Sequence, residues 1–199
     1  MKRFLTAASA ALALAALAGQ ALAADAVGTV TVNGTVASKC TVVTGGTSGG
    51  TSFSSSFTAP GDLADSVGHL AFSGSFTTVG DGDFQINCNK ANPTITLSAT
   101  SMTTAGSAPT GYANSVTYKA YADIKTINAS NTTGTVTRST TSGGSANGPT
   151  ALGSGLYLQN VANNVVIRAD TFAVGTGNAS DILVAGSYQG VITLTITPA

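Results

Sequence analysis

The chain has 199 residues, enough for one ordinary domain, and its eight Lys/Arg balance eight acidic residues, all of them Asp. Only 8% of residues are charged, against roughly 25% in a typical soluble domain, which leaves no basic surface for a nucleic-acid backbone. One His and two Cys exclude a zinc centre of the usual all-Cys/His kind, and an apolar content of 43% argues against disorder.

The first element is an export signal. Lys2 and Arg3 precede an Ala/Leu-rich run over 4–18, and Ala21-Leu22-Ala23 has the small-x-small form of a signal-peptidase site. The run of about 15 apolar residues is shorter than the roughly 20 needed to span a membrane. Residues 1–23 therefore read as a cleaved signal peptide, 24–38 as an N-terminal extension and 39–199 as a single β-domain. Export places Cys40 and Cys88 in an oxidising compartment, and without a C-x-x-C spacing they read as a structural disulfide.

The mature chain then shows strand patterns one after another. Residues 26–43 alternate Val30, Val32, Gly34 and Val36 against Thr29, Thr31, Asn33 and Thr35, the period of a strand or of two in line. The Gly/Ser-rich stretch 45–56 reads as a loop or a weak edge. Short strands are expected at 67–72, 84–88, 94–99, 116–122, 165–167 and 171–174, with a second loop at 139–149 and a turn at 175–181. In 187–198, Tyr188, Gly190, Ile192, Leu194 and Ile196 alternate with Gln189, Val191, Thr193, Thr195 and Thr197. No amphipathic helix of normal length follows residue 23. Glu-free, Thr/Val/Gly-rich sequence favours strands over helices. The expected fold is an all-β antiparallel sandwich.

Catalytic chemistry finds little support. His69 lacks a neighbouring nucleophile setting. Asp81 and Asp83 suit a turn before the strand at Phe84 better than a Ca²⁺ loop, since the rest of such a loop is missing. Asn33, Asn128, Asn131 and Asn178 begin N-x-Ser/Thr triplets, which chance readily supplies in so Asn/Thr-rich a chain. No cofactor, metal or small-molecule substrate is expected.

Four patches carry more information. They are Gly28–Cys40, with its alternating strand ahead of the first cysteine; Phe84-Gln-Ile-Asn-Cys88-Asn; Val116-Thr-Tyr-Lys-Ala-Tyr-Ala122; and the closing Ala185-Gly-Ser-Tyr-Gln-Gly-Val-Ile-Thr-Leu-Thr-Ile-Thr-Pro198. In these the chain resembles the spore coat protein U family, which includes pilins of the archaic chaperone–usher pathway. The Asn-Phe-Gly-like turn common after the first cysteine is replaced here by 45–56, and the end is Pro198-Ala199 instead of an aromatic residue.

The resemblance implies an immunoglobulin-like sandwich lacking its last strand, with an open groove beside 187–198 lined by Tyr188, Ile192, Leu194 and Ile196. A neighbouring subunit's extension, here about 26–36, would fill it with Val30, Val32, Gly34 and Val36. The implied partners are copies of the chain or related subunits, a periplasmic chaperone and an outer-membrane usher. The implied destination is an extracellular fibre active in adhesion or biofilm formation. The alternatives are a secreted coat or surface sandwich that does not polymerise, a carbohydrate-binding adhesin and, least favoured, an enzyme.

Overall fold

The computed structural model describes residues 31–44, 62–77 and 84–199, together with the backbone of Ser52–Phe57. Among them the strands in chain order are β1 (Cys40–Thr44), β2 (Ser52–Phe57), β3 (Phe76–Thr77), β4 (Gln85–Cys88), β5 (Thr94–Ala99), β6 (Met102–Thr103) and β7 (Tyr112–Ala113). They continue with β8 (Ser115–Asn128), β9 (Thr133–Thr141), β10 (Asn147–Ala151), β11 (Leu156–Leu158), β12 (Val165–Val174), β13 (Ile182–Leu183) and β14 (Gly190–Thr197). The fold is an all-β sandwich. One sheet has the order β10-β5-β14-β2; the other is centred on β8, flanked by β12 and then β3 on one side and by β9 on the other. The strand pairs are antiparallel except the short β13–β7 bridge. Residues Ala37–Ala199 form one compact unit.

The core follows from the period of two. Ile192, Leu194 and Ile196 of β14 are buried at 1%, 0% and 0% exposure, and their register partners on β5 are Ala99, Leu97 and Ile95. Paired residues of an antiparallel ladder share a face, so one sheet presents a continuous Ile/Leu surface. The opposing sheet supplies Ala120, Ala122 and Ile124 from β8 and Val165, Ile167 and Ala169 from β12, all buried. Small alanines opposite large Ile and Leu side chains let two sheets interdigitate at native density.

One flank is sewn shut. The chain leaves the second sheet at the end of β9 and, after five intervening residues, enters the first at β10. The Arg138 guanidinium donates to the carbonyl of Ala151 at 2.7 Å, and the Asn147 amide donates to the carbonyl of Ser139. On the other flank the sheets end in β2 and in β3, which has two residues. The first two strands of cysteine-bearing backbone pair separately: Cys40 lies opposite Cys88 in the β1–β4 ladder, and the two are disulfide-bonded.

Several expectations need correction. Residues 31–39 join no strand; alternation sets which side chains share a face, but a strand also needs a partner, and the first one begins at Cys40. Residues 26–30, with Val30, lie outside the described residues, as do Asp81 and Asp83. The 67–72 segment is a turn: the Asp65 carboxylate accepts the N–H groups of Val67 and His69, both at 2.9 Å, leaving only single bridges from His69 and Leu70. The Val67 amide, with that of His69, holds the Asp65 carboxyl below its ordinary value. The 139–149 loop shrinks to the crossing between β9 and β10, and the final strand starts at Gly190, which leaves Tyr188 outside it.

The two short strands expected at 165–167 and 171–174 are one strand with a bulge between Asp170 and Ala173. Thr171 sits there at φ 57°, a conformation costly for a β-branched residue. The extra residue inverts the alternation, so Phe172 packs with Phe72, Phe76 and Tyr118, at ring separations of 5.1, 5.3 and 5.9 Å.

Candidate interaction edge of the final strand

Strand β14 is the apolar spine of the first sheet. Its Thr/Val residues face out and its Ile/Leu residues face in, which is what the sequence period demands once either face is buried. One edge carries β5 over Ile192–Thr197. The open groove expected beside this strand is absent over Gly190–Thr195, because β2 pairs along the second edge, from Gly190 opposite Phe57 to Thr195 opposite Ser52. An unpaired edge next to buried Ile and Leu would leave backbone groups without hydrogen bonds, and the weak edge legible in 45–56 covers it instead.

Tyr188 has a separate task. Its hydroxyl lies 2.9 Å from the carbonyl of Val184 and 3.1 Å from that of Ala113, fastening the segment before β14 to the β7–β13 bridge. Burial raises its pKa, and the hydrogen bond to Val184 opposes that shift. Val32 and Val36, the described apolar members of the N-terminal alternation, are 89% and 88% exposed, and a Cβ on Gly34 would meet nothing within 4 Å.

Between the sheets, Phe76, Met102, Tyr118, Ala169, Phe172 and Gly190 surround a cavity of about 10 Å³. The Tyr118 hydroxyl is buried without a hydrogen-bond partner, and burial pushes its pKa up to about 12. Gly190 is required here: a Cβ would stand 3.0 Å from Met102 Cγ and from the carbonyl of Thr100.

Asn164, a residue that sequence reasoning passed over, is fully buried and joins the disulfide-bearing ladder to the second sheet. Its Oδ1 accepts from the Ile86 N–H at 2.9 Å, and its Nδ2 donates to the carbonyls of Ile86 at 2.7 Å and Gln159 at 2.8 Å. The side-chain amide thus imitates a paired strand residue. On the outer face, Arg168 bonds Asp123 at 2.8 Å and Asp170 at 3.2 Å and lies 4.0 Å from the centre of the Tyr121 ring. Among the described residues no group of three His, Cys, Asp or Glu is placed to hold a metal ion. His69 stands beside Ile182 with its Nδ1 buried and unpartnered.

No protein-family model, curated protein or solved structure matches the chain.

Proposed function

We propose that the chain is a structural subunit of an extracellular fibre, exported through the periplasm with a chaperone and usher and joined to the next subunit by strand donation. The donor is about residues 26–36. The observation that supports this reading best is the exposure of Val32 and Val36, at 89% and 88%, in a segment with the period of a strand whose described residues, 31–36, join no strand. Full burial of a valine is worth roughly 1.5–3 kcal/mol, and each net backbone hydrogen bond adds about 0.5–1.5 kcal/mol. Val30, Val32 and Val36 with a ladder on a neighbour's sheet edge therefore suffice for a fibre joint. Donation from one copy to the next is head-to-tail and non-closing, so it builds a filament.

A second reading is a coat or cell-surface sandwich that does not polymerise. It is favoured by β2, which already pairs with the second edge of β14. Val32→Asp separates the two. A charge in an apolar sheet interface lacks a partner and costs several kcal/mol, whereas at an exposed position it costs almost nothing. Cells making only this variant should export folded protein and show no fibres by electron microscopy. Fibres of normal length and number would exclude residues 26–36 as the donor.

A further inference from the structure

We propose that Asn33 is a site of spontaneous deamidation, and that the change marks copies of the chain that have stayed unassembled. The modification itself needs only the free chain. Its link to assembly rests on the strand-donation reading above.

The sequence contains two Asn-Gly pairs, Asn33-Gly34 and Asn147-Gly148. In such a pair the backbone nitrogen of the glycine, on losing its proton, attacks the asparagine Cγ. The N–Cγ bond forms, the Cγ–Nδ2 bond breaks and ammonia leaves with the proton, which closes a five-membered succinimide. Water then opens the ring. Opening at Cγ gives an aspartate; opening at the backbone carbonyl gives an isoaspartate, whose main chain runs through Cγ. One water enters and one ammonia departs, and nothing is oxidised or reduced. Glycine suits the attack because it has no Cβ to obstruct ring closure and its backbone turns freely.

The structure separates the two pairs. Asn33 is exposed, lies in the stretch 31–39 that joins no strand, and makes no hydrogen bond among the described residues. A Cβ on Gly34 would meet nothing within 4 Å, so the ring has room to close. The body takes hold of this stretch only at Ala37, whose carbonyl accepts from Asn89 Nδ2 at 2.8 Å. Asn147 is exposed as well, so exposure alone does not decide. It sits in β10 opposite Leu97 of β5, and its Nδ2 is already committed to the carbonyl of Ser139. Ring closure there requires the strand to open and the amide to be released. A reaction that waits on local opening is slowed by the opening equilibrium.

The product changes the segment in two ways. Either form carries a carboxylate, ionised above about pH 4, between Val32 and Gly34. Isoaspartate also lengthens the main chain by one methylene, which breaks the alternation that keeps Val32 and Val36 on one face. A segment docked as a strand is held as Asn147 is held, so assembly stops the reaction. The mark therefore accumulates in copies left waiting, and its isoaspartate form makes them unfit to dock.

The test incubates the folded mature chain at mildly alkaline pH and maps its peptides by mass spectrometry, with aspartate and isoaspartate resolved. Asn33 should convert at least about tenfold faster than Asn147. In urea, where neither side chain is held, the two rates should converge. Gly34→Ala, which the open surroundings accommodate, should slow conversion at Asn33 several-fold. Equal rates in the folded protein, a ratio that persists in urea, or an unchanged rate in Gly34→Ala overturns the proposal. Sheared fibres incubated in parallel should keep Asn33 intact. Conversion there at the rate of the free chain overturns the link to assembly and leaves the modification site standing. Absence of fibres overturns the strand-donation reading, again without touching the chemistry at Asn33.

Discussion

Asn164→Leu tests the most consequential polar contact in the structure. The substitution keeps the branching and the number of heavy atoms and removes three hydrogen bonds, two of them to the backbone of Ile86, a residue 1% exposed. Gln159 is half-buried, so its carbonyl can recover a water partner. The Ile86 N–H and C=O cannot, and leaving a buried group unsatisfied costs about 1–3 kcal/mol each, which gives about 4 kcal/mol for the pair. A domain of this size is stable by only about 5–15 kcal/mol, and each kcal/mol moves Tm by about 2–4 °C, so a fall of about 8–16 °C is expected. Urea and thermal unfolding followed by circular dichroism read both quantities. Asn164→Asp sharpens the test, because it keeps the acceptor for Ile86 N–H but turns a second oxygen toward two carbonyls. A loss below about 1 kcal/mol in Asn164→Leu would refute the view that this amide joins the disulfide ladder to the sandwich.

Tyr118→Phe removes a hydroxyl that bonds nothing, so at neutral pH its stability should stay within about 1 kcal/mol of the parent or rise. The folded phenol keeps its proton up to about 12 while the unfolded one releases it near 10.0, so the parent loses stability as pH climbs through that window. The Phe variant should lose less, as alkaline unfolding titrations would reveal. Thr171→Gly relieves the positive φ of the bulge and should gain about 1 kcal/mol in chemical denaturation, the cost of the left-handed backbone less the entropy of glycine. Replacing Cys40 and Cys88 together by serine opens a loop with a sequence separation of 48 and should remove about 4 kcal/mol, measured by urea unfolding under non-reducing conditions.

What was readable in the chain, and what was not, divides along a physical line. Strands buried on one face announce themselves, so the Ile/Leu alternation of β14 and β5 and the Val116–Ala122 part of β8 were legible. Edge strands need no continuous apolar face: β9, β10 and β2 are mostly Thr, Ser, Gly and Asn and look like loops. The bulge at Thr171 hid the continuity of β12, because inserting one residue breaks the parity on which the reading depends. The N-terminal alternation was legible as a period, but period alone does not say whether a partner exists, and residues 31–39 have none in the strand ladders. Asn164 follows another Asn, a pair that reads as a turn. Its role comes from three backbone groups brought together from other parts of the chain.

The position of β14 also bears on the order in which the molecule forms. Ile192 pairs with Ala99 across 93 residues and sits opposite Ser55 across 137, so the central strand of its sheet draws its neighbours from far upstream. Contacts of such long range are slow, because the loop entropy is lost before the contact repays it. Through that delay Ile95 and Leu97 stand on a sheet without a middle, a sticky intermediate whose lifetime is set by the search of one late strand. Conditions that slow this search, such as low temperature or molecular congestion, should therefore lower the yield of native protein more than they lower its stability once folded.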